Sequence, residues 1–174
     1  MSHVLKLLVG FSLALLMSGP AAAQGAAQGP AVAQGLVTQR SLSMQMAKTM
    51  AEAALAECKA KGFNTAVAVV DRGGHLLVLL RDEQAAPQVG EMARRKAYTA
   101  RMFRVSTQEF QKRTAGDAPQ GGQRNLPDIL ALSGGVPVQI GKETIGAVGS
   151  AESTLETDDA CSKAGIAKVA ELLK

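Results

Sequence analysis

The stretch TAVAVVDRGGHLLVLLRD (Thr65 to Asp82) commits the chain to a β-hairpin. TAVAVVD is a β-rich apolar run, RGG supplies the turn, and HLLVLLRD is a second apolar run. The rest of the domain must build on that antiparallel pair. Ser41 to Lys61 repeats apolar and small residues (Met44, Ala47, Ala51, Ala54, Leu55, Cys58) at spacings of three and four, which predicts a helix. Ser41 or Ser43 can cap its start, and Gly62 stands where a left-handed C-terminal residue belongs.

After the hairpin, EMARRKAYTARMFR (Glu91 to Arg104) predicts a basic helix. Projected at about 100° per residue, Ala93, Ala97 and Ala100 form one stripe and Arg94, Tyr98 and Arg101 lie opposite. Lys96 falls inside the apolar arc, where an ammonium needs a partner. A short helix starts at Ser106 or Thr107, and TAGDAPQGGQRNLP is a long irregular stretch of the kind that borders a site. DILALS, GVPVQI and TIGAVGS predict three short strands, and Asp158 to Leu173 a last helix with acids in its first turn. The order αββααβββα gives an α+β fold, a five-stranded antiparallel sheet flanked by helices, and not a parallel nucleotide-binding sheet.

The N-terminus has a different character. MSHVLK is a short basic start, LLVGFSLALLM an apolar run of eleven, and SGPAAAQG ends in small residues. This is the pattern of a secretory signal peptide, residues 1–23, cleaved after Ala23. Residues 24–35, rich in Gln, Gly and Ala, read as a flexible linker. Residues 36–174 then form one domain of 139 residues, periplasmic or secreted, with no membrane span after cleavage.

Without Lys6, 18 basic residues face 15 acidic ones, a net charge of +3. The charge is uneven: Glu91 to Arg113 holds seven basic and two acidic residues, while the chain from Glu143 onward is acidic. One Tyr, four Phe and no Trp leave no stacking platform for nucleic acid. Cys58 and Cys161 lie on the first and last predicted helices, and in an exported chain the pair is expected to be oxidised, with two buried thiols as the alternative.

The segments AVVDRGGHLLVLLRD, ARRKAYTA, GGVPV and GKETIGAVGS…DDACSKAGI together resemble the GlcG/HbpS family, related to the C-terminal domain of PduO-type proteins. The resemblance runs from about Leu42 to Leu172. It implies a profilin-like sheet, homodimers or larger assemblies, and a small-molecule ligand, with haem or a related tetrapyrrole foremost. The family's A-x-x-K-A-x-T-A helix falls on Ala93, Lys96, Ala97, Thr99 and Ala100, its glycine hairpin on Asp71, Gly73 and Gly74, and its Gly-Gly-x-Pro on Gly134, Gly135 and Pro137. Two positions depart: Glu152 replaces the last glycine of a G-V-S-G turn, and Val105 stands where proline is common.

Three readings of Lys96 follow: an ion pair with Asp71, Asp82 or another carboxylate; contact with an anionic ligand group such as a propionate, joined by Thr99 and Arg95; or a side chain snorkelling to solvent. His75, the sole histidine after the leader, is either a solvated turn residue or an axial haem ligand. One histidine cannot build a three-histidine metal site, and no Cys-x-x-Cys-His run attaches haem covalently. Ser133-Gly134-Gly135 is no nucleophile elbow, and no nucleophile arrangement is present. The chain therefore reads as an exported binder of haem or a tetrapyrrole. The alternatives are a haem-handling or small-acid enzyme using Lys96 or His75, and an oligomeric accessory protein docking its basic face on an acidic partner.

Overall fold

A computed structural model describes Gly35 and residues 37–174; the expected leader and nearly all of the linker lie outside the described residues. The order is α1 (Met44–Ala60), β1 (Ala66–Val70), β2 (Leu76–Arg81), α2 (Val89–Phe103), α3 (Thr107–Arg113), β3 (Gly135–Ile140), β4 (Glu143–Ala151) and α4 (Leu155–Ala167), with 3-10 turns at Gly121–Asn125 and Ala170–Leu173. The sheet is antiparallel in the order β2-β1-β4-β3. Ser43 caps α1 and Ser106 caps α3, each side-chain hydroxyl accepting a backbone N–H in the first turn.

The α+β architecture is as expected, but the described residues contain four strands, not five. DILALS forms no ladder. Asp128 takes a positive φ of 65°. The backbone groups that follow are bonded by α2: Arg95 Nη2 donates to the Ile129 carbonyl at 2.8 Å, and the Leu130 N–H donates to Thr99 Oγ1 at 2.9 Å. Side chains of a helix have taken the place of a neighbouring strand.

Both sheet faces are covered, so the central strand β1 is buried throughout. Val67 and Val69 pack with Leu42, Met50, Ala54 and Val148 under α1 and α4. Ala66, Ala68 and Val70 point the other way, with Ala93, Ala97, Ala100, Ala147 and Ala151 under α2. The second layer is thin because α2 lies almost on the strands. A Cβ added at Gly149 would sit 2.2 Å from the Ala93 carbonyl oxygen, and one at Gly135 would sit 2.2 Å from that of Lys96. The alanine stripe of α2 and these glycines are one device that lets backbone approach backbone.

On the opposite face, α1 and α4 are joined by the Cys58–Cys161 disulfide, with Cα atoms 5.6 Å apart. The helix stripes differ in detail from the sequence reading. Met44 is exposed and Met50 fills its place. In α4 the buried residues are Asp158, Asp159, Cys161, Ser162 and Gly165, so acids of the first turn face inward.

Candidate functional site

Lys96 is 1% exposed and lies at the centre of a polar network inside the fold. Its Nζ donates to Asp158 Oδ2 at 2.6 Å and to the Ser150 carbonyl at 3.0 Å. Asp158 Oδ1 accepts from the Ser153 N–H at 3.1 Å and from Ser153 Oγ at 2.6 Å. The Ser150 and Ser162 hydroxyls lie 2.8 Å apart, and Ser162 Oγ donates to the Gly134 carbonyl at 2.7 Å. Burial pushes the Lys96 ammonium below its ordinary value, and Asp158 acts against that push.

The ion-pair reading of Lys96 is therefore the one realised, with a carboxylate of the α4 first turn. Asp71 and Asp82, the two partners named from sequence, are engaged elsewhere. Asp82 bonds Lys59 at 2.8 Å. Asp71 Oδ1 accepts from the N–H groups of Gly73 at 2.7 Å and His75 at 2.9 Å. Burial raises the Asp71 pKa, but the hydrogen bonds from His75 and Gly73 outweigh it and hold the carboxyl below its usual range.

Thr99 and Arg95 join Lys96 on α2 but not around a shared opening. Thr99 is fully buried; its Oγ1 donates to the Arg95 carbonyl at 2.8 Å while accepting from Leu130. Arg95, half-buried, holds Ile129. Arg95 and Thr99 thus anchor the segment after the long loop to α2, while Lys96 bonds elsewhere. Ala115, at the start of that loop, lines a recess of about 350 Å³ with Gln108, Gln111, Ser133 and Leu155.

A more apolar recess lies on the outer side of the same helix. Tyr98, Met102, Phe103, Leu126, Pro127, Asp128 and Ile129 line about 390 Å³, and Leu126 is 52% exposed there. The lining carboxylate of Asp128 is paired with the Arg94 guanidinium at 2.6 Å. The β1–β2 turn packs against the ridge of this recess: a Cβ on Gly74 would sit 2.4 Å from Met102 Cε and 3.0 Å from the Tyr98 ring. The next residue, His75, is 83% exposed at its side chain, and its Nδ1 lies 3.3 Å from Asp71 Oδ2. A carboxylate at Nδ1 favours the tautomer whose Nε2 lone pair faces outward.

A thioether and a phenol, two groups able to bind haem iron, therefore line the recess beside the Gly74 turn, while the His75 imidazole lines a separate cavity with Asp71, Arg72 and Arg101. The residues present fit a haem. The apolar recess suits the ring, with Tyr98 and Met102 as candidate donors inside it and His75 as a candidate outside its lining. Of these, only His75 is read from the sequence as an axial ligand; Met102, Leu126 and Ile129 are not singled out there. The recess depends on how the loop folds back on α2, which no local pattern announces.

Residues 42–167 match the family model described as haem degrading protein HbpS-like. The chain belongs to this HbpS-like family. Protein GlcG of Escherichia coli strain K12 is 34% identical over 108 residues, 62% of this chain and 79% of the relative. The crystal structure of HbpS superposes with a TM-score of 0.72 at 35% identity, over 78% of this chain and 96% of that one. The crystal structure of a PduOC–haem complex shares the fold at a TM-score of 0.66 and 22% identity, over 73% of this chain and 94% of that one. In this HbpS-like chain, the motif residues Lys96, Gly134 and Gly135 all meet at the buried network around Asp158. The motif that carries the family resemblance is thus largely a packing motif.

Proposed function

We propose that this protein is an exported binder of haem or a related tetrapyrrole, working as a homo-oligomer. The apolar recess of Tyr98, Met102, Phe103, Leu126 and Ile129 takes the ring. The observation that carries the reading is this recess, with the Tyr98 phenol and the Met102 thioether in its lining. Family membership and the haem complex of a protein with the same fold add support. Export is supported by the leader-like start of the sequence and by the disulfide, a bond that persists in oxidising compartments. When bound, haem would supply a redox-active iron.

The test is a hemin titration followed by absorbance. A saturable Soret shift is expected, and Leu126→Asp should weaken it by about tenfold or more, because a carboxylate in the recess opposes burial of an apolar ring. Loss of the band in one of His75→Ala, Tyr98→Phe or Met102→Leu names the iron donor. No saturable shift, or an unchanged one in Leu126→Asp, overturns the proposal.

The family description favours a second reading, breakdown of the bound haem. Time-dependent bleaching with reductant and oxygen would support it, and a stable band under those conditions would exclude it.

A further inference from the structure

We propose that a second cavity, of about 200 Å³ between Arg72, Arg101, Arg104 and Lys142, binds a small oxyanion with two or more charges, of the phosphate or dicarboxylate class. It shares no lining residue with the apolar recess and is too small for a tetrapyrrole ring. Three separate elements bring the cations together. Arg72 comes from the β1–β2 turn, Arg101 and Arg104 from the end of α2, and Lys142 from the β3–β4 turn.

The protein does not neutralise this cluster. The one carboxylate lining it, Glu143, is already shared by Arg40 and Arg72. Among the described residues Arg101, Arg104 and Lys142 make no ion pair, and the buried Nε of Arg101 has no hydrogen-bond partner. Burial first, then the charges of Arg72 and Arg104, hold the Arg101 guanidinium below its ordinary value, with Asp71 acting against them. The negative end of α2 favours basic residues at Arg101 and Arg104, but it does not explain why Arg72 and Lys142 converge on the same space. Guanidinium forks facing a small cavity match the paired oxygens of a phosphate or carboxylate. A bound oxyanion would supply the partners that the arginines lack.

The experiment titrates the full chain with inorganic phosphate and, separately, malonate, at ionic strength held constant with sodium chloride. Calorimetry and thermal melting are the readouts. The expected result is saturable binding of at least one anion with a rise in melting temperature. Saturation by phosphate alone or by malonate alone assigns the class. Arg104→Asn and Arg101→Gln should each weaken binding by about tenfold or more. Lys142→Gln lies on an exposed turn where folding is safe, and it should weaken binding several-fold. Because these variants relieve like-charge crowding, they should melt no lower than the parent in the absence of anion. Absence of saturable binding by both anions overturns the proposal, as does equal affinity in the parent and all three variants. Hemin binding is read separately, so either proposal can fail alone.

Discussion

Replacing Lys96 by methionine would leave the Asp158 carboxyl, 1% exposed, without its ammonium partner, and would strip the Ser150 carbonyl of a donor. Removing one partner of a buried pair costs about 3–5 kcal/mol, whereas neutralising both costs far less. Lys96→Met should therefore lose about that much stability in a denaturant titration, and adding Asp158→Asn should restore at least half of it. A single variant within about 1 kcal/mol of the parent would remove the pair from the stabilising set. Half of this pair was legible in the sequence: Lys96 breaks the alanine stripe of α2. The other half was also there, since Asp158, Cys161, Ser162 and Gly165 repeat at helical spacing as one buried stripe. Acids in a helix first turn invite a dipole explanation, and that masked the complementary charge. Glu152, which departs from the family glycine, offsets a backbone that favours glycine with a hydrogen bond. It holds a φ of 91°, and its carboxylate caps the Ala86 N–H at 2.8 Å. Glu152→Ala keeps the strain and loses the cap, so it should cost about 1 kcal/mol. Glu152→Gly loses the cap but relieves the strain, and should melt above the alanine variant; the reverse order in a melting comparison would show that the strain is absent, and an alanine variant melting with the parent would show that the cap does not matter.

Elements were more legible than their partners. The hairpin, the four helices and the two terminal strands follow from apolar spacing and glycine turns. The small-large alternation of Ala66, Val67, Ala68 and Val69 also encoded the two layers, with the valines facing α1 and α4 and the alanines facing the close-lying α2. DILALS was misread because its composition is strand-like while its backbone partners are Arg95 and Thr99, distant in sequence. Only tertiary structure shows that those side chains claim it. The disulfide ties the two helices of one layer across a sequence separation of 103. On the chain-entropy account a loop of that size contributes up to about 4.7 kcal/mol, usually less. Changing both Cys58 and Cys161 to alanine should lower the denaturant midpoint by the equivalent of about 2–4 kcal/mol. A shift equivalent to less than about 1 kcal/mol would mean that packing between α1 and α4 holds them together without the bond.

At the scale of the molecule, the open recess raises the question of what covers it. Leu126 is 52% exposed in the recess wall, and Leu76 and Leu79 are each 44% exposed on β2, an edge strand. A lone protomer would leave a bound ring with one face in water, so burying the second face takes another surface. A second copy presenting its own α2 and loop supplies apolar area without a new kind of partner, and a two-fold arrangement makes the same patch serve both sides. A stable contact of this sort covers roughly 1,200–2,000 Å², more than the recess alone, so the assembly must extend onto neighbouring elements. Light scattering at micromolar concentration should give at least twice the mass of one chain. Leu126→Asp should shift the distribution toward monomer, because a carboxylate at a self-facing patch meets its own copy. If that variant kept the parent mass while losing hemin, the recess would bind its ligand without the interface. A monomeric parent would mean that one chain alone shields whatever it binds, and the oligomeric part of the proposal would fall.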